Sequence, residues 1–220
     1  MSAISGAQNQ MDQMKRQWVG LLVGLSLSAC AAAQAKTNPA FRVNSEKSKI
    51  EISVYREGLF KAFGHDHLIA AKEVSGRALL DEAMPERSSA ALTVLTNSLT
   101  VIDPGESDKD RADVQATMLG EEVLDVKKFP EIQFKSTGVT QVKKTADGWD
   151  IVLAGVLNLH GVEKPIELPL RVSASKGQLS VRGEVSVLQT DYGITPIKVG
   201  GGTVKVKNKV RIRFDLVAEN

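Results

Sequence analysis

A chain of 220 residues that is 42% hydrophobic and 25% charged holds enough apolar material for one globular core plus an additional segment. Its 28 basic and 26 acidic residues leave a formal net charge of +2 and are spread along the chain. No basic stripe is present, which argues against a nucleic-acid partner.

The first element in chain order is an export signal over residues 1–35. "MKRQWVGLLVGLSLSACAAAQA" (14–35) carries Lys15 and Arg16, an apolar run from Trp18 to Leu27, and then small residues, the order of a secretory signal. Met14 is the expected start, because the leader before it is polar. The apolar run falls short of the about 20 residues that cross a bilayer. Two processing sites compete. Ala33-Gln34-Ala35 would release a soluble periplasmic chain beginning at Lys36, whereas Leu27-Ser28-Ala29-Cys30 resembles a bacterial lipobox, whose lipidated cysteine would tether the protein to a membrane. Cys30 is the only cysteine, so residues 36–220 form a domain with no internal disulfide.

From residue 41 onward the dominant period is two, the mark of half-buried strands. It places Ile50, Ile52 and Val54 on one face of "KIEISVY", and recurs in "EIQFKS", "GWDIVLAG", "PIELPLRV", "QLSVRGEVSV" and "KVRIRFDLV". Less regular apolar segments at 59–70, 74–80 and 90–102 bring the count to eight or nine strands. Turn signals in "ADGW", "SKGQ" and "VGGGTV" separate several of them. So many consecutive antiparallel strands need a barrel or sandwich to protect their edges. One stretch breaks the pattern: in "DKDRADVQATMLGEEVLDV" (108–126), Val114, Met118, Leu119, Val123 and Val126 fall near helical spacing, and acidic residues crowd the start, where they suit a helix N-terminus. A short helix or two is expected there, ended by "KKFP".

Four segments in order, "VLDVKKFPEIQFKS" (123–136), "GVLNLHGVEKPIELPL" (155–170), "TDYGI" (190–194) and "VKNKVRIRFDLVAEN" (206–220), resemble the signatures of the YceI-like family over residues 40–220. The resemblance implies an eight-stranded antiparallel lipocalin-like barrel, exported by bacteria and holding a polyisoprenoid chain. The opening segment departs from the family pattern. Where the family has aspartate and then histidine followed by serine, this chain offers Asn44 and Lys47 and keeps Ser48.

Two of the three histidines sit in "FGHDHLIAA" (63–71), a stretch carried by a subset of the family. In an extended strand His65 and His67 share a face, about 6–7 Å apart, and Asp66 takes the other. Both imidazoles can then reach one Zn²⁺ or Cu²⁺, with His160 of "LNLHGV" as the third ligand. Alternatively the pair hydrogen-bonds loops at a rim, or serves a proton-linked or haem-related role, and His160 bonds backbone at a turn. No G-x-S-x-G, H-E-x-x-H or phosphate-cradling loop appears, and no thiol outside the signal segment, so catalytic residues are not assigned. Glu106, Asp108, Asp110 and Asp113 lack calcium-loop spacing and read as a solvated helix start.

The leading expectation is a non-enzymatic exported protein that binds a hydrophobic small molecule, a polyisoprenoid-like lipid or a quinone-type compound, and requires no cofactor. A metal- or redox-linked accessory protein using the His-Asp-His stretch is the second. A structural or stress-response module, with a barrel filled by residues such as Ile52, Phe134, Trp149 and Leu168, is the third.

Overall fold

The computed structural model describes residues 40–57, 66–199 and 204–220. The signal segment with Cys30, the stretch 58–65 with His65, and the triple glycine 200–202 lie outside the described residues.

The alternating segments form strands β1 (Ala40–Val43), β2 (Lys49–Glu57), β3 (His67–Ala71), β4 (Val74–Leu79), β5 (Ser89–Leu95), β6 (Leu99–Val101), β7 (Glu131–Lys144), β8 (Trp149–Leu159), β9 (Val162–Ser175), β10 (Gln178–Leu188), β11 (Lys198–Val199) and β12 (Val204–Glu219), with one helix, α1 (Asp108–Leu119). Neighbours pair in the order β1-β4-β5-β7-β8-β9-β10-β12, and β12 returns to β1, closing a ring of eight antiparallel strands. The segments β2, β3 and β6 extend that ring along β12. Each is the continuation of a ring strand, so β1 and β2, β3 and β4, and β5 and β6 are three strands interrupted at one level. Closure removes every edge of the ring, the requirement set by so many consecutive strands.

Serines repair the shared interruption. Ser48 Oγ accepts the Val217 N–H at 3.0 Å and donates to the Asn44 carbonyl at 2.6 Å, Ser45 Oγ accepts the Val74 N–H at 3.1 Å, and Ser98 Oγ accepts the Glu73 N–H at 3.1 Å. Backbone groups that lose a ladder partner at the kink thus find a hydroxyl. Two hairpins are two-residue turns with both residues at positive φ, His160 (54°) and Gly161 (74°) after β8, and Lys176 (50°) and Gly177 (77°) after β9. This left-handed pair matches the twist of the flanking strands.

Side chains alternate across the wall. Outside, Arg171 meets Asp150 at 3.1 Å, Arg182 meets Asp215 at 2.8 Å and Arg213 meets Glu184 at 3.3 Å. Exposed pairs of this kind add little stability, but they make that face suited to water, unlike the apolar outer band of a membrane-spanning barrel. Inside, one end is narrowed by a closely packed cluster that includes Phe41, Leu80, Leu170, Val172, Leu179 and Ala218.

The helix lies at the other end and contributes Met118 to a second cluster with Ile69, Val94, Leu124 and Ile194. Ser107 caps it by accepting the Asp110 N–H at 3.1 Å, and Asp108 and Asp110 occupy the first turn. The acidic run is therefore a helix start, as its spacing suggested. The helix is shorter than the apolar spacing implied. Gly120 takes an extended conformation after Leu119, and the chain continues as turns through Lys128. Val123 and Val126 keep apolar contact from those turns, which is why the helical period seemed to run on.

Candidate functional site in the barrel interior

Alternation along the strands points apolar side chains at one another across the ring. They do not meet, and a cavity of about 780 Å³ remains. Its wall includes Ile52 and Val54 of β2, Ile69 of β3, Leu92 and Val94 of β5, Phe134 of β7, Leu153, Leu157 and Leu159 of β8, Ile166 and Leu168 of β9, Val181 and Val185 of β10, and Ile212 and Phe214 of β12. Val114 and Met118 of α1 border it. Many of these, among them Ile52, Leu157, Leu168, Val185 and Ile212, are only half-buried although they face inward. A filled barrel would bury them fully.

Two glycines help explain the space. A side chain at Gly155 would begin 2.4 Å from Phe134 Cε2, and one at Gly183 would begin 2.6 Å from Phe214 Cζ. Each ring therefore rests against a bare patch of the neighbouring strand, and folds onto the wall instead of reaching into the lumen.

The sequence-selected histidines take separate partners. His67 opens β3, lines the cavity, and holds Nδ1 2.7 Å from Asp103 Oδ2. The other Asp103 oxygen accepts the Leu68 N–H. Asp103 is 5% exposed. Arg111 of α1 donates to the carbonyl oxygens of Asp103 and Glu106 and pairs with Asp108, fixing the segment that carries the carboxylate. Asp66 faces elsewhere, accepting the Arg56 N–H at 3.0 Å. His160, in the turn after β8, has Nδ1 3.2 Å from the Tyr192 carbonyl oxygen and its ring centroid 4.3 Å from that of Phe129. This is the turn-bonding role weighed for it from the sequence. Its neighbour Gly161 leaves room for the same Phe129 ring.

Strand direction brings His67 and His160 to the same end of the barrel, but among the described residues no group of three His, Cys, Asp or Glu side chains could hold a metal ion. His65, the remaining member of the metal set, lies outside the described residues. Asp103 is what the sequence reading missed. It stands 36 residues from His67, in an ordinary "DPG" turn, and no local pattern marks it as a histidine partner.

A closed eight-stranded antiparallel ring around an apolar cavity, with one short helix across its open end, defines a lipocalin-like β-barrel. The chain belongs to the YceI-like domain family, which matches it over residues 41–218. Curated relatives include UPF0312 proteins of Enterobacter sp. (strain 638), 29% identical over 160 residues that cover 72% of this chain and 73% of the relative, and of Pseudomonas putida (strain W619), 30% identical over 154 residues that cover 70% of each. Among solved structures, BcnA of Burkholderia cenocepacia superposes with a TM-score of 0.61 at 21% identity, over 80% of this chain and 98% of BcnA. A polyisoprenoid binding domain from Saccharophagus degradans, implicated in plant cell wall breakdown, gives 0.55 at 15% identity, over 81% and 97%. At these identities the two structures attest the fold.

Proposed function

We propose that the protein is an exported, non-catalytic carrier that holds a long apolar molecule of polyisoprenoid type in its barrel. The observation that carries this reading is the apolar cavity of about 780 Å³ inside a closed ring. Burial of an apolar chain there gains about 25 cal/mol per Å² removed from water, with no need for a dense set of polar contacts. The likeness to a polyisoprenoid binding domain supports the same ligand class. The signal pattern of residues 14–35 supports export to the periplasm, by release at Ala35 or with a membrane tether at Cys30.

The test is displacement of a fluorescent apolar reporter by the isoprenoid hydrocarbon squalene. The wild-type protein should bind both, and Val185→Trp, which puts an indole into the lumen from β10, should bind neither while keeping its β-sheet spectrum and cooperative melt. Equal binding by the folded tryptophan variant would move the ligand out of the barrel.

A further inference from the structure

His67 and Asp103 place an imidazole within a largely apolar lumen, whose other half-buried polar side chains are Ser88, Ser89 and Gln189, and their geometry selects the head group of a chain lying there. Register carries His67 inward, since it pairs with Val54 and both line the cavity. The other charged side chains that border the space, Arg77, Asp113, Glu122 and Lys198, are exposed, where water competes for them. Both oxygens of Asp103 are committed, one to the Leu68 N–H and one to His67 Nδ1. An ionised carboxylate only accepts, so Nδ1 carries the proton, and in the neutral ring Nε2 is then an acceptor. Among the described residues no hydrogen bond reaches Nε2. The His67 side chain is 23% exposed, so a ligand that covers Nε2 and brings a donor gains over one that covers it and brings none.

We infer that the ligand is an apolar chain ending in a hydroxyl group, an alcohol or phenol whose O–H donates to His67 Nε2. Asp103 is a positioning residue that sets the tautomer. The inference rests on the carrier reading above. A chain ending in an ether or carbonyl oxygen offers Nε2 nothing, and a plain hydrocarbon loses only this one bond.

The experiment compares farnesol, farnesyl methyl ether and the hydrocarbon farnesene by reporter displacement from the purified full-length protein. Wild type should prefer the alcohol to the ether by about tenfold, the worth of one buried neutral hydrogen bond. His67→Phe should bind both with the affinity of the ether. In Asp103→Asn the Leu68 N–H pins the amide oxygen, so the NH₂ faces Nδ1 and the ring takes the opposite tautomer. Nε2–H then donates to alcohol and ether alike, and the ratio falls to about one. Farnesene binding, retained by each variant, shows that the barrel is intact. If Asp103→Asn does not fold, His67→Phe decides alone. Equal affinity for alcohol and ether in wild type, or a preference that survives in His67→Phe, would overturn the head-group assignment while leaving the carrier standing. Failure of all three compounds to bind wild type would overturn both.

Discussion

Single side chains in this barrel are explained by what they face. Tyr192 is buried beside the His160 turn, and burial, followed by the neighbouring Asp191 carboxylate, pushes its phenol above the ordinary range. The folded state therefore holds that proton more tightly than the unfolded chain. The resulting stability is complete below about pH 10, the unfolded value, and is lost as pH rises from there through the folded one. Melting temperature followed from pH 8 to 11 should fall less steeply in Tyr192→Phe than in wild type; parallel curves would show that the phenol is not responsible. His67 teaches a different lesson about residues. The period-two pattern told which face it shares with His65 in an extended strand, but its partner Asp103 comes from another strand end. That contact depends on closure of the ring, which no local pattern contains.

Elements were legible in proportion to their regularity. β7 to β10 and β12 each run for eleven or more residues with apolar positions alternating, so their existence could be read directly, whereas which face of each turns inward is set by closure of the ring and could not. β3 and β6, five and three residues long, are too short to show a period. Their strands are broken by the kink that Ser45, Ser48 and Ser98 repair. The helix was visible but its end was not, because apolar residues of the following turns keep helical spacing past Gly120. The seam between β1, β2 and β12 is the element most exposed to test. Ser48→Ala removes an acceptor for the Val217 N–H and a donor to the Asn44 carbonyl, and should cost about 1–3 kcal/mol in denaturant unfolding. A loss below a few tenths would mean that water replaces the hydroxyl. Nearby, hydrogen bonds from Lys47 and Asn44 hold the Glu219 carboxyl below its usual range. The seam thus loses that support as pH falls from about 4.3 through the folded value.

For the molecule as a whole, the contrast is between a closely packed narrow end and a hollow middle. Both Val172 and Val185 border the cavity, but Val172 is 5% exposed among the close-packed neighbours of the narrow end, whereas Val185 is half-buried. The same valine-to-alanine change should cost about 2–3 kcal/mol at Val172, where packed neighbours lose contacts, and less than half of that at Val185, where space already exists. Equal losses would indicate a filled barrel. The fold class was legible because strand number and edge protection leave few architectures, and the four signature segments narrowed them to one family. Hollowness was not legible, since the same apolar alternation describes a packed lumen. It depends on details such as the fit of Phe134 over Gly155 and Phe214 over Gly183. The measurement that bears most directly on the central claim is native mass spectrometry of the full chain, expressed with its N-terminal segment in a bacterial host that exports it, with organic extraction and metal analysis of the same sample. The account predicts one long apolar molecule per barrel, released into the organic phase and absent from Val185→Trp. A protein free of lipid and carrying one metal ion per chain would contradict it.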